Sequence, residues 1–191
     1  MPVQGNGHVE ALLIGGRCGV GKNTVGLEVS ARLEARDVGH AFLNGNYLDR
    51  IFPAPEGDPA RTKMTEANLA ALWHNYAAAG CSRLIYTNMV SVLEPDLIAR
   101  AMGGSVRIIM VLLTADDATA RQRLLGRELG SRLDPHIERG ERMARYLERE
   151  VPASAVRIPT DGSTVADIAR DVIAVTGWAP LADNADNPRL T

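Results

Sequence analysis

Apolar and polar positions along the chain switch repeatedly between two periods, which predicts strands alternating with helices. Val9 to Gly15 is a short, nearly continuous apolar run, the pattern of a strand buried on both faces. From Asn23 to about Arg36, Val25, Val29 and Leu33 recur every four residues, one face of a helix that Asp37-Val38-Gly39 ends. His40 to Leu43 reads as a short second strand, and Asn44-Gly45-Asn46 as the turn after it. Three prolines and a glycine between Pro53 and Pro59 exclude regular structure there. Thr65 is placed to cap a helix carrying Leu69, Leu72, Trp73 and Tyr76 on one stripe, with Gly80 as its stop. Trp73 and Tyr76 are then core residues, and His74 faces solvent or a cavity.

The second half repeats the alternation. Arg83 to Thr87 is a third strand, and Pro95 opens a short helix through Met102, closed by Gly103-Gly104. Val106 to Leu113 is the clearest strand, since six of its eight residues are Val, Ile or Leu. Thr114, with Asp117 three residues on, predicts a capped helix reaching about Glu128. Asp134-Pro135 begins another, to about Glu150, with Glu138–Arg142 and Glu141–Arg145 at helical spacing. Val156 to Ile158 is a fifth strand, and Ser163 is placed to cap a last helix that ends at Gly177. The pattern predicts an α/β domain with a parallel sheet covered on both faces, and ligands at the carboxyl ends of its strands. One domain is expected over residues 9–178, with a flexible N-terminus at 1–8 and a flexible tail at 179–191.

Composition narrows the function classes. The 191 residues are 46% hydrophobic and 23% charged with a formal net charge of -2, so a general affinity for nucleic acid or anionic membrane is not expected. No apolar run is long enough to span a bilayer, and no charged-then-apolar leader opens the chain. Two cysteines, Cys18 and Cys81, have no metal-ligand spacing and fit a reducing, cytoplasmic setting.

The most informative stretch lies between the first strand and the first helix: Gly15-Gly16-Arg17-Cys18-Gly19-Val20-Gly21-Lys22-Asn23-Thr24. Gly16, Gly21 and Lys22 match the G-x-x-x-x-G-K (Walker A) spacing that wraps nucleotide phosphates. Glycines let backbone N–H groups turn toward phosphate oxygens, and the following helix aims its positive end at them. Lys22 adds a cation for the terminal phosphates. The residue after the lysine, which the pattern requires to be a magnesium-holding Ser or Thr, is Asn23, with Thr24 one place later.

With these motifs in place, residues 9–177 resemble the P-loop small-molecule kinases, the group that includes adenylate, gluconate, shikimate and adenylylsulfate kinases. The resemblance implies the three-layer P-loop fold: five parallel strands in the order 2-3-1-4-5, helices on both faces, and a small lid, here about residues 121–140. It also implies ATP and Mg2+, with a small-molecule acceptor as the other partner. Gly21-Lys22-Asn23-Thr24 is similar to the adenylate kinase loop, where a glycine stands at the position of Asn23 and magnesium is held mostly through water. Thr24 is then the candidate metal ligand. Arg123-Leu124-Leu125-Gly126-Arg127 looks like the lid sequence in which the first arginine stacks on adenine and the second reaches phosphates; a solvated arginine face is the alternative. Arg121 and Arg132 lie nearby. Asp161-Gly162, in Pro159-Thr160-Asp161-Gly162, resembles the loop that contacts adenine through its backbone, although an ordinary turn has the same look.

The acceptor side departs from the family. Gluconate and adenylylsulfate kinases carry Asp-Gly-Asp where this chain has Asn44-Gly45-Asn46, and an amide orients a hydroxyl without taking its proton. Asp49 is the nearest carboxylate and the candidate catalytic one, with an exposed turn aspartate as the alternative. Asn88 follows the third strand and would face the same crevice. Two readings follow: a kinase of a nucleotide, sugar or other hydroxyl-bearing metabolite, or a catalytically weak or inactive ATP-binding module read out by a partner protein.

Overall fold

The computed structural model describes residues 8–126 and 133–180, with the side chains of 133–136 excepted. The elements are β1 Val9–Gly15, α1 Lys22–Glu34, β2 Ala41–Asn44, α2 Thr62–Ala78, β3 Arg83–Thr87, α3 Pro95–Ala101, β4 Val106–Thr114, α4 Asp117–Leu125, α5 Leu133–Glu150, β5 Val156–Pro159 and α6 Val165–Thr176. Short 3-10 turns follow β2 at Gly45–Tyr47 and β3 at Ser91–Leu93. The five strands form one sheet in the order β2-β3-β1-β4-β5, every pair parallel. This is the predicted three-layer P-loop architecture.

Alternation along β1 divides the core. Leu12 and Ile14 point to one face, where they pack with Val25, Val29 and Leu33 of α1 and Ile168 and Val172 of α6. Ala11 and Leu13 point to the other, with Leu69 and Trp73 of α2, Ile98 of α3 and Leu147 of α5. Trp178 and Ala179 close the edge of the first cluster. Asn44, Thr87 and Ile14 lie in one register row, so β2, β3 and β1 deliver their ends to one rim.

Three caps differ from expectation. Thr65 is buried inside α2, which starts at Thr62 after Arg61 in a left-handed conformation (φ 58), with the Asp58 carboxylate accepting from Met64 N–H. Asp116, not Thr114, caps α4 by accepting from Thr119 N–H, because β4 runs on through Thr114. Thr164, not Ser163, caps α6 through Asp167 N–H. The N-cap lies one residue from the expected position in α6, two in α4 and four in α2. The expectations for residues 1–7, 127–132 and 181–191, Arg127 and Arg132 among them, lie outside the described residues.

Candidate functional site

Between β1 and α1 the backbone makes a loop that only glycine tolerates at several points. Gly16, Gly19 and Gly21 have φ of 138, 89 and 91, in the left-handed region. A Cβ on Gly16 would stand 2.5 Å from the Leu113 carbonyl oxygen, and one on Gly19 would stand 2.5 Å from that of Ala120. Gly21 has nothing within 4 Å and serves the turn alone. It immediately precedes α1, so the first-turn N–H groups and positive end of that helix face the loop. Buried Val20 fastens the loop to the core. Lys22 donates to the Arg17 carbonyl across the loop at 3.0 Å, and Thr24 is exposed in the first turn of α1.

The side chain of Arg17 turns away from this loop. It is 3% exposed, pairs with Asp117 at the start of α4, and leaves its Nε without a hydrogen-bond partner. With Thr114, Leu147, Glu148 and Arg157 it lines a cavity of about 220 Å3. Cys18 packs beside Gly140 of α5, consistent with a small residue in a tight turn.

Asn23 has a definite job. Its side-chain oxygen accepts from the Thr87 hydroxyl at 2.6 Å, which ties α1 to the last residue of β3. The same junction is sewn by Gly16 N–H to the Met89 carbonyl (3.1 Å) and Asn88 N–H to the Ile14 carbonyl (3.3 Å). The loop after β3 is therefore held directly against the glycine-rich loop.

On the β4–β5 side, Arg123 forks onto Thr160. It donates to the hydroxyl and to the carbonyl, both at 2.8 Å, and reaches the Gly19 carbonyl at 3.5 Å. Thr160 in turn donates its hydroxyl hydrogen bond to the Thr114 carbonyl at 3.0 Å. Asp161 accepts from Asp116 N–H at 3.1 Å. Thus Arg123 binds the loop after β5 to the loop after β1, and Gly162 makes the turn beyond it (φ 67). Bonds from Thr119 N–H and its hydroxyl hold the Asp116 carboxyl below the usual aspartate range.

On the β2–β3 side the structure brings Asn44, Asn88 and Asp49 to one rim. Asn44 and Asn88 turn their oxygens onto their own backbones, accepting from Asn46 N–H and Val90 N–H; Asn46 is exposed. Asp49 lies within electrostatic reach of two groups that sequence reasoning passed over, Tyr86 and Glu94. Burial first, and then the Asp49 charge, push the Glu94 carboxyl above the usual glutamate range. Burial, Glu94 and Asp49, in that order, push the Tyr86 phenol above the ordinary tyrosine range. Neither group announces itself in sequence: Tyr86 sits in an apolar strand, and Glu94 before Pro95 reads as a helix start. His74 is exposed.

A wider depression, about 760 Å3, lies at the amino ends of the strands around Glu10, Arg83 and Arg107. Its charges pair with one another, and ligands of parallel sheets bind at the opposite end. Among the described residues no cluster of three His, Cys, Asp or Glu forms a metal site, and no helix is long and apolar enough to cross a membrane.

Solved structures share this arrangement. A gluconokinase from Sinorhizobium meliloti 1021 is 17% identical, with 88% of this chain and 91% of that one covered and a TM-score of 0.55. The tunicamycin resistance protein of Deinococcus radiodurans is 20% identical, covering 90% and 97%, with a TM-score of 0.59. The APS kinase CysC of Mycobacterium tuberculosis, solved with AMPPNP and APS, is 18% identical, covering 89% and 98%, with a TM-score of 0.53. At these identities the likeness is one of fold. No curated protein sequence matches the chain. The AAA domain family matches residues 12–144, well over half of the sequence and the stretch that runs from β1 through the glycine-rich loop into α5. The chain belongs to the AAA domain family and carries it on the P-loop small-molecule kinase fold.

Proposed function

We propose that the protein is a kinase that transfers the γ-phosphate of ATP to a small hydroxyl-bearing molecule. The observation that carries this reading is the loop from Gly16 to Thr24. Three left-handed glycines open it, α1 points its positive end into it, and Lys22 stands at its base. N–H groups of Gly19, Gly21 and Lys22 surround the β- and γ-phosphates, with Arg17, Cys18 and Val20 shaping the loop. Arg123 presents a guanidinium plane to the adenine while it holds Asp161 and Gly162 alongside, and Arg127 is the second lid arginine.

The residues present fit Mg2+ as part of a nucleotide complex. Thr24, a hydroxyl residue, is exposed in the first turn of α1 beside the loop, and the Asn23 oxygen is engaged by Thr87. When bound with ATP, Mg2+ neutralises charge on the β- and γ-phosphate oxygens. Asn44, Asn46 and Asn88 orient the acceptor by hydrogen bonds. Its hydroxyl oxygen bonds to the γ-phosphorus, the bond to the β–γ bridging oxygen breaks, and ADP leaves with that electron pair. Asp49, the carboxylate nearest in sequence to Asn44-Gly45-Asn46, takes the released proton.

Lys22→Ala is expected to lower turnover by about 100-fold, the scale of losing one preorganised electrostatic contact, and to abolish most ATP-induced thermal stabilisation. Unchanged ATP affinity and turnover in that variant would sink the assignment. A second reading, an ATP-binding module read by a partner protein, is favoured by one observation: the Asn23, Asn44 and Asn88 oxygens are all engaged within the protein. ATP that raises the melting temperature without phosphorylating any acceptor would establish it instead.

A further inference from the structure

Arg17 faces two ways. Its carbonyl accepts from Lys22 Nζ at 3.0 Å within the glycine-rich loop. Its side chain, 3% exposed, leaves the loop and pairs with Asp117 through Nη1. The guanidinium lies against α5: a Cβ on Gly140 would come within 3.6 Å of Nη2 and 3.8 Å of Nε. There the Nε hydrogen is buried with no acceptor among the described residues. Arginine stays charged in proteins, so it cannot relieve this by losing a proton. Native folds rarely keep a buried donor in that state.

A cavity of about 220 Å3 lies beside it, with Arg17 in its lining. Gly140, Ala144, Leu147 and Glu148 recur on one face of α5, and the last three form a wall of the cavity. The α5 face that meets the guanidinium therefore continues as the cavity wall. Leu112, at the end of β4, faces the same space. With Ala144 and Leu147 it makes much of the lining apolar, which gives water few of the partners that hold it in a buried site. Arg157 is a second cation on the wall, fixed by the Ala155 and Val151 carbonyls at 3.4 and 3.2 Å. Those partners are neutral and leave its charge in place. Glu148 and Arg157 are exposed, so the cavity opens to solvent on their side, where water screens the Glu148 carboxylate.

We propose that this cavity binds a small carboxylic acid with an apolar body, and that the acid acts on the glycine-rich loop through Arg17. Nε and Nη2 form one edge of the guanidinium, the fork that a carboxylate spans with two parallel hydrogen bonds. Asp117 occupies the other end, at Nη1, and is itself 64% exposed. The apolar body lies on Leu112, Ala144 and Leu147. At roughly 30 Å3 for each water-sized group, 220 Å3 holds about seven, which suits a short acid and excludes a nucleotide. A ligand that fixes the guanidinium also fixes the residue whose carbonyl holds Lys22, so it tightens nucleotide binding, and the nucleotide tightens the acid by the same factor. This coupling rests on the reading of the loop as a nucleotide site; the cavity does not.

Calorimetry on the full chain without nucleotide compares butyrate, isovalerate and benzoate with their neutral amides and with inorganic phosphate. At least one acid is expected to bind saturably and at least tenfold more tightly than its amide, and phosphate, which has no apolar body, is not expected to bind in the cavity. Ala144→Met fills the space from α5 and is expected to abolish acid binding with the ATP-induced melting shift intact. Arg17→Met is expected to weaken the acid at least tenfold. A saturating acid is expected to tighten ATP binding about fivefold. No saturable binding by any acid, equal binding of acid and amide, or full acid affinity in Ala144→Met overturns the site and leaves a cavity that holds water alone. Weaker ATP binding in the presence of acid would put the carboxylate in the phosphate loop and overturn it as well, and unchanged ATP binding overturns the coupling. A wild-type protein that ATP fails to stabilise, yet that binds acid over amide, shows that the nucleotide reading has failed while the cavity stands.

Discussion

The two sides of the sheet that flank β1 handle their polar groups in opposite ways. Toward β4 and β5, donors and acceptors are mostly closed into chains: Arg123 to Thr160 to the Thr114 carbonyl, Asp116 N–H to Asp161, and Arg17 to Asp117, with the Arg17 Nε left without a partner. Toward β2 and β3, the Tyr86 hydroxyl is unpaired, Glu94 and Asp49 make no ion pair among the described residues, and Phe52 is 94% exposed. On the proposed kinase reading, the first side is already shaped for the nucleotide, which reduces the ordering that binding requires. The second has polar groups whose partners are not among the described residues. Such a division suits an enzyme with a constant nucleotide on one side and a particular acceptor on the other, since unpaired buried polar groups discriminate strongly between ligands.

Glycine substitutions probe this difference most severely. Gly16→Ala puts a methyl group 2.5 Å from the Leu113 carbonyl oxygen and holds alanine at φ 138. A loss of about 2–4 kcal/mol is expected in urea unfolding, from backbone strain and overpacking together. Gly21→Ala has open space and only its φ of 91 to accommodate, so about 1–2 kcal/mol is expected. Gly45→Ala, on the β2 side, meets a side chain rather than backbone. Its cost should fall by roughly half or more when combined with Tyr86→Ala, a coupling that a double-mutant cycle reads directly. Additive effects there would show that Gly45 does not answer to Tyr86.

Arg123→Ala is expected to act on binding more than on folding. It removes both bonds to Thr160, and ATP affinity should drop about tenfold, or about 1.4 kcal/mol. Calorimetric titration checks this. Unchanged affinity would make Arg123 a tie between two loops and nothing more.

These differences also explain what was legible in the chain. Elements and strand order followed from periodicity and from the resemblance carried by the loop, because β1, β4 and α1 repeat one simple pattern over seven or more residues. The glycine-rich loop was legible because its requirements are local: a turn, a close approach, a helix start. Caps were misplaced because the partner of a free N–H is chosen in three dimensions. Asp58, which caps Met64, is six residues away with a prolyl residue and a left-handed Arg61 between. The role of Asn23 was hidden for the same reason, since Thr87 is 64 residues distant. Tyr86 and Glu94 were invisible as a pair because nothing in either local sequence departs from an ordinary strand or helix start.

The smallest effect, and the one that separates the two sides by sign, lies in the pH dependence of stability. Asp116 has a folded pKa below its ordinary value, chiefly through Thr119 N–H, so its contribution is present above the unfolded aspartate pKa and is lost as pH falls through the folded one. Glu94 has a folded pKa above its ordinary value, chiefly through burial. Folding therefore favours its protonated form, and that contribution is present below the unfolded glutamate pKa and lost as pH rises through the folded one. Asp116→Asn keeps a capping oxygen but no titrating group, so stability should fall less steeply below the ordinary aspartate range than in wild type. Glu94→Gln should flatten the loss on the rising side and leave the acid limb in place. Urea unfolding across pH 3 to 8, an interval chosen to bracket the usual carboxylate range, reads both slopes. If Glu94→Gln and wild type keep a constant difference over that interval, the Glu94 carboxyl is not held off its ordinary value, and the contrast between a closed nucleotide side and an open acceptor side loses its electrostatic half.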